Sequence, residues 1–211
     1  RLLLDPAAVD PSGLTALGGM APSPDGKILA FSLYRAGDEN TTIYFMDVAT
    51  GTWLADQLEG KAGVIEWLKD NSGIYYERLA DLKDPYSARI MFHTLGTHQR
   101  MDNVLFKQYT KEENEKLATT WGPGAAVSRD GKWMILTYWT GTASNDIWCI
   151  DLTKWWKDGV PGAGVFDKKV IKVGANANFS GEVECDTLSM MTDYNAPTNQ
   201  VVAVNLNPPE E

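Results

Sequence analysis

One short unit recurs along this chain: a tight turn, an alternating strand, a loop and a second strand. Its first copy is Ser23-Pro24-Asp25-Gly26-Lys27 followed by strands at 28–34 and 42–48, the latter closed by Ala49-Thr50-Gly51. The second is Lys69-Asp70-Asn71-Ser72-Gly73 with strands at 74–79 and 89–95, and the third is Ser128-Arg129-Asp130-Gly131-Lys132 with strands at 133–139 and 147–152. A fourth has lost its turn signature but keeps paired strands at 186–192 and 200–206. The turn glycines Gly26, Gly73 and Gly131 stand about 47 and about 58 residues apart, in or just above the spacing of four-stranded propeller blades. The expected fold class is therefore all-β, a β-propeller of about four blades. Its blades are placed at about 14–60, 61–118, 119–175 and 176–211.

The turn chemistry accounts for the repeat. Pro24 presets the backbone for the second position of a turn, Asp25 hydrogen-bonds locally, and Gly26 takes a positive φ. Gly26 and Gly131 are both expected there. In 28–34, Ile28, Ala30, Ser32 and Tyr34 face one way and Leu29, Phe31 and Leu33 the other. Both faces are largely apolar, as a blade packed between neighbours requires. Residues 111–117 are charged and read as a solvated loop or a single helical turn. The insertion 154–169, with Trp155-Trp156 and Gly159-Val160-Pro161-Gly162, reads as a long loop inside a blade. Asn207 to Glu211 follow a strand where a further blade would begin, and terminal blades of an open ring would each expose a face suited to burial.

With 211 residues, length alone favours one domain over two. No apolar run approaches the roughly 20 residues of a membrane helix, so no membrane partner is expected. A net charge of -9 repels phosphate backbones, which argues against nucleic acid. Cys149 and Cys185 lie among apolar residues of expected strands and read as free thiols behaving as small hydrophobes. The sequence opens on Arg1 with no signal-like segment before it and reads as starting downstream of further residues.

Candidate chemistry is sparse. No serine lies in the glycine-flanked frame of a nucleophile elbow. Only His93 and His98 could act as bases, and their spacing fits neither one helix face nor a zinc site, so structural roles are expected for both. No catalytic, cofactor-binding or metal-ligating residue is assigned, and no cofactor is expected. Among eight tryptophans, Trp67, Trp133 and Trp148 fall in strand patterns and read as core, whereas Trp155 and Trp156 are the best candidates for an exposed patch. Asn40-Thr41-Thr42 and Asn178-Phe179-Ser180 match glycosylation acceptors, which matter only in a secreted protein.

Phe92-His93-Thr94-Leu95-Gly96-Thr97-His98-Gln99-Arg100-Met101-Asp102 resembles a motif of the prolyl oligopeptidase family of serine peptidases: His, any residue, Leu-Gly-Thr, any residue, Gln, two residues, Asp. Supporting matches are Leu3-Leu4-Asp5-Pro6, the Ser23 to Lys27 turn, Asp47-Val48-Ala49-Thr50-Gly51, Trp67 and Thr192-Asp193-Tyr194-Asn195-Ala196-Pro197 with 201–206. The resemblance implies the amino-terminal part of a seven-bladed propeller that admits oligopeptides to an α/β-hydrolase catalytic domain and excludes folded proteins. That domain is absent from this sequence, and no triad residue can be carried over. The implied function is a non-catalytic, substrate-gating segment of a cytoplasmic endopeptidase cleaving oligopeptides after proline. Its partners would be the hydrolase domain and the oligopeptide. An independent propeller scaffold binding proteins through loops such as 154–169 is the alternative, and a glycan-binding module using the tryptophans a weaker third. The sequence departs from the family at two segments that can line the outer substrate pocket. Ala62, between Lys61 and Gly63, stands near where an aromatic is common, and Gly122 follows Trp121 where a large apolar residue can occur.

Overall fold

A computed structural model describes residues 1–207; the 208–211 tail, where the sequence predicts a further blade to begin, lies outside the described residues. A short helix α1 (Pro6–Val9), capped by the Asp5 carboxylate on the Ala7 N–H, leads into the first sheet. That sheet is β1 (Thr15–Pro22), β2 (Ile28–Arg35), β3 (Thr42–Asp47) and β4 (Trp53–Leu58), and the second is β5 (Gly63–Trp67), β6 (Gly73–Leu79), β7 (Ala88–Thr94) and β8 (Asn103–Lys107). The third contains β9 (Gly122–Val127), β10 (Trp133–Trp139) and β11 (Asn145–Asp151). After α2 (Leu152–Trp155) and a small hairpin of β12 (Trp156–Lys157) and β13 (Val160–Pro161), β14 (Lys169–Lys172) completes it. The fourth has three strands, β15 (Phe179–Glu184), β16 (Thr187–Thr192) and β17 (Gln200–Asn205). In each sheet neighbouring strands run antiparallel in chain order, the up-and-down meander of a propeller blade. No helix among the described residues is long and apolar enough to cross a membrane.

Two compact units divide the chain, one ending at Leu105 and one starting at Phe106. In the first, Ala30, Ile43, Phe45 and Leu58 of the first blade pack against Trp67, Ile74, Tyr76 and Met91 of the second. In the second, Trp133, Ile135, Ile147 and Cys149 of the third blade meet Phe179, Val183, Leu188 and Met190 of the fourth. Full burial of each large apolar side chain contributes roughly 1.5–3 kcal/mol, so the blade-to-blade seams are the cores.

The recurring turn is a self-contained hydrogen-bond unit. Ser23 Oγ donates to Asp25 Oδ1 (2.8 Å) and accepts from the Ile28 N–H (3.0 Å), while Asp25 Oδ1 accepts from the Lys27 N–H. Ser128, Asp130, Lys132 and Trp133 repeat these bonds without a proline. Gly26 and Gly131 sit at φ 70° and 78°. Gly73, expected as a turn glycine, is instead the first residue of β6, and Asn71 takes the left-handed position at φ 65°. Asn tolerates that conformation, and a Cβ on Gly73 would lie 2.3 Å from the His93 carbonyl oxygen. At the fourth turn, Cys185 and Asp186 both have positive φ in a two-residue hairpin. Cys185 is therefore exposed in a turn and not buried in a strand; only Cys149 is buried.

Strands β10 and β11 are buried on both faces along most of their length, but β16 alternates, burying Leu188 and Met190 and exposing Ser189 and Met191. Met191 and Val201 pair across β16 and β17 and are 54% and 79% exposed. The outer face of the first blade is covered only in part: Leu17 and Met20, paired with Leu33 and Phe31, remain 43% and 71% exposed. Phe31, Leu33 and Met46 are buried there beneath Leu4 and Tyr44, and Trp53 meets Phe31 edge-on at 5.0 Å.

Two outcomes follow. Replacing Gly26 with Val should cost about 1 kcal/mol or more, because a β-branched residue fits positive φ poorly; the shift in urea midpoint reads it directly. The face carrying Met191 and Val201 should bind a hydrophobic dye, and M191E/V201E should remove most of that fluorescence with little change in thermal midpoint.

Candidate functional site

A buried cluster of ionisable groups surrounds His93, on β7. Its ring has no exposed surface and lies between two carboxylates: Nδ1 is 2.8 Å from Asp102 Oδ1 and Nε2 is 3.0 Å from Asp56 Oδ1. Asp56 belongs to β4 of the first blade, and Asp102 follows a 3-10 turn, Gln99–Met101, in the second. Asp56 Oδ1 also accepts from the Gly96 N–H (2.6 Å), and Asp102 Oδ2 from the Tyr76 hydroxyl (2.7 Å). Gln99 donates through Nε2 to the Glu59 carbonyl (2.9 Å) and accepts at Oε1 from the Glu59 N–H (3.2 Å). Thr97 Oγ1 donates to the Thr94 carbonyl, and Leu95 packs on the core between the blades. His93, Gly96 and Gln99 of the motif thus clasp residues 56–59 of the first blade to the second, with Asp102 and Thr97 bonded inside the second blade.

Neither ring nitrogen of His93 is free to take up a proton from a substrate. A general base must reach the proton it removes, and both nitrogens of His93 are sealed against aspartates. His98 is exposed and caps the 3-10 turn, its Nδ1 accepting from the Arg100 N–H at 3.2 Å. Among the described residues no group of three His, Cys, Asp or Glu side chains could hold a metal ion.

The second unit has its own ties. Asn145, fully buried on β11, accepts from the Phe179 N–H (2.9 Å) and donates to the Phe179 carbonyl (3.1 Å), joining third blade to fourth. Asp186 Oδ1 accepts from Lys132 Nζ (2.7 Å) and Trp133 Nε1 (2.6 Å), and the lysine bond holds its carboxyl below the usual range. Cys149 lines a pocket with Trp133, Lys169 and Leu206, but burial pushes its thiol up to about 12, which keeps it protonated and unreactive.

Trp67, Trp133 and Trp148 are buried as expected. Trp155, expected at the surface, is only 3% exposed, edge-on to Trp156 at 5.8 Å, while Trp156 is half-buried. The insertion folds back through α2 and the β12–β13 hairpin, and this packing removes the expected aromatic patch. Trp121, at 77%, and Trp53, at 37%, are exposed instead. The two departures from the family pattern have steric causes. Ala62 is 2% exposed inside the core between the first two blades, where an aromatic has no room. Gly122 has φ 77°, and a Cβ there would fall 1.7 Å from Gln108 Oε1. Gln108, buried and donating to the Ala118 and Thr120 carbonyls, fills that space.

Replacing Gly122 with Ala should therefore destabilise by about 2 kcal/mol, exceeding the roughly 1 kcal/mol expected from backbone conformation alone. Urea midpoints of G122A, Q108A and the double variant should show positive coupling, with the double change costing less than the sum of the single ones.

A family model described as the prolyl oligopeptidase N-terminal beta-propeller domain matches residues 1–211. Prolyl endopeptidases of Elizabethkingia meningoseptica and Elizabethkingia miricola are 26% and 25% identical over 219 aligned positions, which take in 100% of this chain and 28% of each relative. A solved structure from work on inter-domain dynamics in two prolyl endopeptidases superposes with a TM-score of 0.82 at 28% identity, covering 100% of this chain and 30% of that one. Prolyl oligopeptidase B from Galerina marginata, bound to a 35mer hydrolysis and macrocyclization substrate, gives 0.73 at 26% identity over 97% of this chain and 29% of its own. The chain thus spans 28% of the length of these curated relatives. Four antiparallel sheets with blade connectivity, the clasp built from the His93 to Asp102 motif and a family match along the whole sequence agree: the chain belongs to the N-terminal β-propeller domain of the prolyl oligopeptidase family.

Proposed function

We propose that this chain is the substrate-gating propeller segment of a serine endopeptidase that cleaves oligopeptides after proline. Catalysis would come from an α/β-hydrolase domain in the remainder of that protein, in a cytoplasmic setting. The observation that carries the reading is the match of the propeller-domain model to residues 1–211, in a chain spanning 28% of its prolyl endopeptidase relatives.

The chemistry of the described residues supports a passive role. A hydrolytic site needs a nucleophile, a base that can reach it and donors aimed at an oxyanion. Here the buried ionisable groups are spent on structural bonds: His93 on Asp56 of the first blade and Asp102 of its own, and Asp146 on the Gly174 N–H, while the Asn145 carboxamide joins the third blade to the fourth. A gate works by staying rigid enough to exclude folded proteins, and directional bonds along each seam supply that rigidity.

The 211-residue chain alone should not turn over a proline-containing chromogenic peptide. A polypeptide that joins it to a hydrolase domain of the family should cleave that peptide and spare a folded protein. Turnover by the pure chain that a serine-directed inhibitor abolishes would overturn the reading. A coding sequence in which only further blades follow would support an independent scaffold.

A further inference from the structure

A carboxylate on each nitrogen dictates the protonation state of a buried imidazole. A neutral ring has one N–H and one lone pair. One of the two contacts of His93, at 2.8 Å and 3.0 Å, would then set that lone pair against a carboxylate oxygen. Only the imidazolium donates to both. We propose that the seam between the first and second blades is a pH-operated latch, held while His93 carries both protons and released at its Asp56 end when the ring loses one.

The groups around the ring make the response that of one residue. Asp56 faces it from β4 and Asp102 from the end of the 3-10 turn, while β3 presents the uncharged ring of Phe45, stacked at 6.0 Å. Behind Asp102 stands the Tyr76 phenol on β6; burial and its bond to Asp102 push it well above its ordinary value, so it remains a donor throughout. Burial by itself would lower the basicity of His93, but the hydrogen bonds and charges of Asp102 and Asp56 outweigh it and hold the ring above its ordinary value. A raised folded-state value means that the stabilisation is whole below the unfolded value of about 6.5 and is lost as pH rises through the folded one.

The surviving proton belongs between His93 and Asp102. That contact is the shorter one, joins residues nine apart within one blade, and is braced by Tyr76. Asp56 retains the Gly96 N–H as a donor, so of its two bonds to the second blade the one surrendered is that to His93.

Amide exchange of the 211-residue chain between pH 6 and pH 9.5, corrected for intrinsic rates and read beside the NMR titration of His93, tests the latch. Protection of residues 53–58 and 96–99 should fall about tenfold or more in step with the His93 titration, the size of one charge-assisted hydrogen bond. Protection in β10 and β11 should not follow it. H93Q, which lacks the titration, should show low protection in 53–58 at every pH. Protection of 53–58 that ignores the titration, or a ring that does not titrate in this range, would overturn the proposal. Should H93Q fail to fold, the wild-type comparison decides alone.

Discussion

A blade with two apolar faces cannot leave either in water without cost, and the first two blades meet that demand by sharing one core. Ala30, Ile43 and Phe45 bury themselves only because Trp67, Ile74 and Tyr76 arrive from the next sheet. Apolar burial is proportional to area and has no direction, so it brings sheets together without choosing a register. Register comes from polar ties spaced along the seam. The Trp67 indole donates to the Ala21 carbonyl on β1, Asn71 accepts from the Asp25 N–H between turns, and Asp56 and Glu59 engage His93, Gly96 and Gln99 at the β4 side. The second unit repeats the logic with other residues, through Trp133 and Lys132 on Asp186 and Asn145 on Phe179.

Local chemistry was legible in the sequence because its causes lie within a few residues. The Ser-x-Asp-Gly-Lys turns and the two-faced apolar strands follow from steric and hydrogen-bond rules that need no neighbour. Gly73 was misread because two residue types could take the left-handed position, and the choice of Asn71 depends on the close approach of Gly73 to β7. Trp155 was misread because tertiary packing, and not its loop-like surroundings, hides it.

A second periodic signal lies in the strand glycines. The first strand of each sheet carries a glycine whose Cβ would press on the second strand: Gly18 on Ser32 Oγ at 2.6 Å, Gly63 on Glu77 Oε1 at 3.3 Å, Gly124 on Thr137 Oγ1 at 2.9 Å and Gly181 on the Ser189 carbonyl at 2.2 Å. Glycine in a strand marks close approach, and its return once per sheet is as much a blade signature as the turn. The partner of His93 was beyond reach for another reason. Asp56 is 37 residues away and on another sheet, and nothing near it in sequence sets it apart from the other acidic residues.

Sealing three charges beside the blade core requires explanation, since desolvation costs roughly several kcal/mol per ion and a well-packed apolar cluster is often as stable. Stability is therefore a poor reason for the clasp. Specificity is a better one. Blades of one period are near copies, and a strand of one could pair its apolar face with several rows of the next at similar energy. A cation that must meet Asp56 from one blade and Asp102 from the other admits a single alignment, because any slip leaves a buried charge unpaired at far greater cost than a misplaced methyl group. Asn145 does the same without charge, since the Phe179 backbone offers its side chain a donor and an acceptor together. Buried directional groups hold neighbouring blades in one arrangement where apolar area cannot.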